Sequence, residues 1–99
     1  MNKNEFEEKI KTLNIKRVKN KSLIKSFLER NREYYINKNE LNIYGMYKKD
    51  NEFIIFFKDI ERAVITELGR FKTEDEAFDS LYSTMISWEN KIEASNVAN

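Results

Sequence analysis

Apolar residues recur first at helical spacing, then at strand spacing, then at helical spacing again. Phe6, Ile10 and Leu13 stand four and three apart, one stripe of a helix over residues 4–13. Asn4 is placed to cap it, and Glu5, Glu7 and Glu8 suit the positive end of its dipole. The segment NIKRVKNK (14–21) breaks the rhythm and reads as a basic connector. Leu23, Ile24, Phe27 and Leu28 then mark a second helix, starting after Asn20 or Ser22 and closing near Asn31 or Arg32.

The middle of the chain reads as a sheet. EYYI (33–36) reads as a short strand or an extended lead-in, and Asn37, Lys38 and Asn39 signal a turn. Along residues 41–48, Leu41, Ile43 and Tyr47 share one face while Tyr44 and Met46 share the other. Gly45 within that strand predicts a bulge or a close packing approach. The Asp50-Asn51 pair predicts a hairpin into a strand over 52–58. In that strand Phe53, Ile54, Ile55, Phe56 and Phe57 make both faces apolar, so it should be central and covered on both sides, by helices, a partner or a second copy. AVITEL (63–68) returns as the next strand, with Gly69 ending it.

The last helix is the best marked. Thr73 and Glu76 form a capping box, and Glu74, Asp75 and Glu76 lie in the first turn, where the helix dipole favours anions. Ala77, Phe78, Leu81, Tyr82, Met85, Ile86, Glu89 and Ile92 trace a wide face on which Glu89 is the polar exception. Residues 1–3 and 93–99 should fray. The pattern as a whole predicts an α+β single domain spanning 1–99: two N-terminal helices, an antiparallel meander of three or four strands, and a C-terminal helix packed on the sheet.

Composition narrows the chemistry. A chain of 99 residues supports one modest core, and seven Phe, five Tyr and a Trp are too many large apolar groups for a disordered chain. With no Pro and two Gly, sharp turns fall to Asn and Asp. No apolar run approaches the roughly 18 residues of a spanning helix, so a soluble cytoplasmic protein is expected, with no membrane contact. Cys and His are both absent, which removes disulfides, thiolate nucleophiles, His-centred triads and His-based zinc sites. Gly45 and Gly69 cannot supply a glycine-rich phosphate loop. Two-metal nucleases use carboxylates beside a Lys, as Asp59, Glu61 and Lys58 stand here, but this spacing specifies no metal site, and Asp59 and Glu61 read as solvated turn residues. The sequence therefore assigns no catalytic residue, no metal and no cofactor, and predicts a protein that is not an enzyme.

Charge is divided along the chain. Residues 1–38 hold eleven bases and five acids, whereas residues 39–99 hold seven bases and twelve acids. Such a dipolar distribution can steer a charged partner, and it can equally draw two parts of one domain together. Seven bases and no acid fall within residues 9–25. Lys16, Arg17, Lys19, Lys21 and Lys25 are thus the residues with which a small nucleic-acid-binding regulator would hold phosphates. Base readout would need more: the segment has one Arg and no aromatic before Phe27. A solvated basic surface fits it as well. Tyr44, Met46 and Trp88, off the stripes assigned to the core, are candidates for an aromatic protein-binding surface.

One stretch carries a family likeness. Residues 44–85, with EFIIFF (52–57) followed by Phe71, Thr73, Glu74, Glu76 and Ala77, resemble small immunity proteins of bacterial polymorphic toxin systems. The resemblance implies a non-enzymatic inhibitor that neutralises a cognate toxin by direct binding. It also implies an acidic face, Glu67, Glu74, Asp75 and Asp79, presented to a basic toxin. A phage-type host-defence inhibitor would present a similar surface, and homodimerisation through an apolar sheet face is a further reading of the same pattern.

Overall fold

The computed structural model describes residues 1–18, 32–38, 42–59 and 64–97, the last seven of these by their helical backbone alone. The chain opens with helix α1 (Lys3–Ile10), which buries Phe6 and Ile10. Its cap is Asn2, not Asn4: the Asn2 side chain accepts the Glu5 backbone N–H at 2.8 Å. A single tight turn (Lys11–Leu13) extends the helix as far as predicted, but in 3-10 geometry. Asn14 then takes a left-handed conformation, φ 59°, and Ile15 N–H closes on Ile10 O at 3.1 Å. This reversal aims the chain back along the helix, and a short polar side chain tolerates it better than a branched one would.

The sheet has five antiparallel strands in chain order: β1 (Lys16–Arg17), β2 (Glu33–Ile36), β3 (Asn42–Lys49), β4 (Glu52–Asp59) and β5 (Val64–Phe71). That is one more than the three or four expected. The addition is β1, which the pattern gave to a connector; two residues are too few to show a period, yet Lys16 pairs with Ile36 and Arg17 with Tyr35. The β3–β4 hairpin turns on Asp50 (φ 52°) and Asn51 (φ 64°), the two successive left-handed residues that a tight two-residue turn demands.

Two local features fix the faces. Gly45 is a close approach: a β-carbon there would stand 2.1 Å from Cζ of Phe56, its cross-strand neighbour. The bulge lies elsewhere, in β5. Ile55 pairs with Gly69 and Phe56 with Glu67, so Leu68 has no opposite number. Gly69 therefore does not end the strand, which runs on to Phe71.

Helix α2 (Glu74–Val97) lies with α1 on one face of the sheet. Between them Phe6, Ile10, Tyr35, Tyr44, Met46, Ile55, Phe78, Leu81 and Met85 form the main core. The opposite face carries a smaller cluster of Tyr34, Ile36, Ile43 and Phe56, with Val18 and Tyr47 against it and the Arg32 guanidinium 4.2 Å from the Tyr47 ring centre. The doubly apolar strand behaves as its pattern predicts: β4 is interior, and Ile54, Ile55 and Phe56 are buried on alternate sides. Among the described residues one helix precedes the sheet and one follows it. The expected second N-terminal helix lies outside the described residues. No helix of the described residues is long and apolar enough to cross a membrane.

Candidate functional site

The start of α2 is built from its sequence as expected, with one variation. The Thr73 hydroxyl accepts the Glu76 backbone N–H at 3.2 Å and donates to the Glu76 carboxylate at 2.9 Å. Glu76 therefore closes the box on the hydroxyl. Its neighbours Glu74 and Asp75 are exposed in the first turn, where they lie beside free backbone N–H groups. One turn on, Asp79 accepts a hydrogen bond from the Met1 ammonium, which raises the amine's pKa, chiefly through that bond. Met1 also packs against the main core, and Lys9 stands 5.7 Å above the Tyr82 ring. The basic N-terminal part of the chain is thus moored to the acidic helix.

The four acids of the expected face do not form one surface. Glu67 pairs with Phe56, whose ring belongs to the cluster on the side of the sheet away from α2. The Leu68 bulge then lets Arg70, three residues on, share that side, opposite Ile54. Glu67 and Arg70 then make a two-pronged ion pair, Nε to Oε2 at 3.1 Å and the outer nitrogen to Oε1 at 3.0 Å. Glu74, Asp75 and Asp79 remain together on α2. From Glu74 to Asn90 this helix carries Glu74, Asp75, Glu76, Asp79 and Glu89 and not one Lys or Arg.

The expected aromatic surface is corrected by burial. Tyr44 is fully covered and Met46 is 4% exposed, because α2 rests on the sheet face they share. Trp88 is half-buried and stacks edge-on against Phe57 at 4.7 Å between ring centres. Glu89, the polar exception on the helix stripe, accepts the Tyr44 hydroxyl at 3.3 Å. Burial, reinforced by that carboxylate, pushes the Tyr44 pKa up, so the phenol is a neutral donor.

Of the basic residues, Lys16 and Arg17 form the edge strand β1. Arg17 is already engaged: its Nε donates to Glu33 Oε2 at 2.8 Å, and Lys3 reaches Glu33 Oε1 at 3.4 Å. Burial works against the charged form of Glu33, but the two cations outweigh it and hold its carboxyl below the usual range. Lys19, Lys21 and Lys25 lie outside the described residues. So does Glu61; Asp59 closes β4, half-buried, and is not the solvated turn residue expected, while its neighbour Lys58 is buried. Among the described residues no group of three or more potential ligands could hold a metal ion.

Two features were not read from the sequence. One is the Lys3–Glu33–Arg17 triad, which joins residues far apart in the chain and has no local signature. The other is the start of β5, where Val64 and Ile65 are 55% and 50% exposed. Their successive apolar positions resemble a buried strand, and the edge location is a matter of topology. Compared with known protein families, curated proteins and solved structures, the chain finds no match.

Proposed function

We propose that the chain is a non-enzymatic binding protein that inhibits a protein target by covering it, the target being a cognate bacterial toxin with a basic surface. The observation that carries this reading is the exposed side of α2. It offers Glu74 and Asp75 on a helix held by the main core, with no Lys or Arg between residues 74 and 90, and beside them Asp79, which the Met1 ammonium engages. A preformed acidic ridge accelerates encounter with a basic partner, and a rigid helix presents it without an ordering cost. The resemblance of residues 44–85 to immunity proteins points the same way.

The test is capture on the tagged full chain from nuclease-treated extract of its native cells. A stoichiometric protein partner that survives nuclease and elutes with rising salt is expected. Recovery of nucleic acid alone, lost on nuclease treatment, would replace the inhibitor with a nucleic-acid-binding protein acting through the basic residues 9–25.

A further inference from the structure

The two edges of the sheet are managed differently. Edge strands expose unpaired backbone groups, and proteins blunt them with brevity, charge, proline or bulges. The β1 edge is blunted twice, being two residues long and composed of Lys16 and Arg17. The β5 edge is eight residues long, and its first four, Val64, Ile65, Thr66 and Glu67, are all exposed. Val64 and Ile65 are the large hydrophobic residues left exposed among the described residues. No described strand pairs with the outer side of β5. Among the described residues its protection is the Leu68 bulge, which interrupts the ladder after Glu67, and the paired charges of Glu67 and Arg70, all of which lie beyond Val64, Ile65 and Thr66.

We propose that Val64–Thr66 pairs antiparallel with the same segment of a second copy of the chain, joining two sheets into one of ten strands. Three properties of the segment select a second copy as the occupant. Cross-strand neighbours must share a face, and the pairing with β4 puts Val64 and Thr66 on the α2 side and Ile65 on the other. A two-fold axis through Ile65 satisfies that rule, setting Ile65 against Ile65 and Val64 against Thr66 twice. A shift of one residue would oppose side chains on different faces; a shift of two one way would oppose Ile65 with the charged Glu67, and two the other way would leave Val64 against Val64 as the one pair within the segment. Every contact in the centred register is between β-branched residues, which favour strands and pack well across one.

The nearest charge is also neutralised within its own strand. Arg70 holds Glu67 in its two-pronged pair, so the two carboxylates brought towards one interface arrive compensated. The ladder of Val64–Thr66 has three pairs, well below a standard interface, so the dimer is weak and concentration-dependent. Because the two-fold is closed, pairing stops at two copies, and it uses none of the acids of α2.

The absence of cysteine makes the test clean. Sedimentation of the full chain from micromolar to millimolar concentration is expected to show its mass rising from 11.9 kDa towards twice that value. Ile65→Lys should hold the chain at the monomer mass with an unchanged circular dichroism spectrum. Ile65→Cys should form a disulfide dimer on mild oxidation, since facing strand positions bring β-carbons within bonding range, whereas Ser83→Cys on α2 should not. A constant monomer mass throughout that range would overturn the proposal. So would a dimer indifferent to Ile65→Lys, or Ile65→Cys oxidising no faster than Ser83→Cys. None of these readouts involves the toxin, so the inhibitor reading stands or falls separately.

Discussion

Gly45 of β3 lies directly opposite Phe56 of β4, and the Phe56 ring occupies the space where a side chain at residue 45 would stand. All three nearest ring carbons come within 2.7 Å of that position, so even one methyl group forces the ring away. Phe56 in turn makes edge contacts with Tyr34, 5.7 Å away, and lies 5.7 Å from Tyr47, so displacing it disturbs the whole cluster on that side of the sheet.

Gly45→Ala should therefore destabilise the protein by about 1–3 kcal/mol, the usual cost of overpacking a core. Phe56→Ala should cost about 3–5 kcal/mol by leaving a cavity. The double variant should cost less than the sum, since removing the ring removes the clash. Urea unfolding midpoints of the three variants measure this; strict additivity would show that the two residues are not coupled.

Two buried phenols predict how stability depends on alkaline pH. Burial raises the pKa of both Tyr35 and Tyr44, with nearby carboxylates adding to it. A group whose folded pKa lies above its unfolded value of about 10 contributes stability in full below that value and loses it as pH rises further. Stability should accordingly fall steeply above about pH 10, and the slope should flatten in Tyr44→Phe and Tyr35→Phe. The two should differ at neutral pH. Tyr44 donates to Glu89, whereas the buried Tyr35 hydroxyl finds no hydrogen-bond partner among the described residues. Tyr35→Phe should thus be neutral or stabilising, and Tyr44→Phe should cost about 1 kcal/mol.

The acid side rests on Glu33. Its pKa is lowered in the fold, so its contribution is present above the unfolded carboxylate value and is lost as pH falls through the folded one. Glu33→Gln should lower stability at pH 7 by about 1 kcal/mol or less, as expected of a partly exposed pair, and should reduce the loss between pH 5 and 2. Thermal melts across that range check it; an unchanged acid slope would assign the sensitivity to other carboxylates.

Glu74→Lys with Asp75→Lys should leave the helix content of the isolated chain nearly intact, because both side chains are exposed. Each reversal at the first turn costs a few tenths to 1 kcal/mol through the helix dipole. Association with a basic partner should slow by an order of magnitude or more at low salt, with dissociation little changed. The matching reversal at Glu67 should have a smaller effect on that rate, since Glu67 is bound to Arg70 on the other side of the sheet.

Much of this architecture can be read from periodicity. The stripe from Ala77 to Met85, the Asp50-Asn51 turn and the doubly apolar β4 are local patterns enforced by burial, and the structure follows them. What the spacing did not show depends on neighbours distant in sequence. Gly45 announced a bulge or a close approach but not the partner ring eleven residues away; the bulge came instead at Leu68, where it sets Glu67 and Arg70 on one face. Tyr44 and Met46 alternate correctly, yet alternation does not say which face a helix will cover. The acids of α2 were legible as helix-start chemistry and as a charged surface at once, and their separation from Glu67 required the sheet register.

The inhibitor proposed here would neutralise a toxic partner by binding it. Growth of cells expressing the captured partner should be measured alone, with the full chain, and with the Glu74→Lys/Asp75→Lys variant. Arrest with the partner alone, growth restored by the chain, and weaker restoration by the folded variant are expected. A partner that does not arrest growth, or arrest that the chain fails to relieve despite a stable complex, would contradict it.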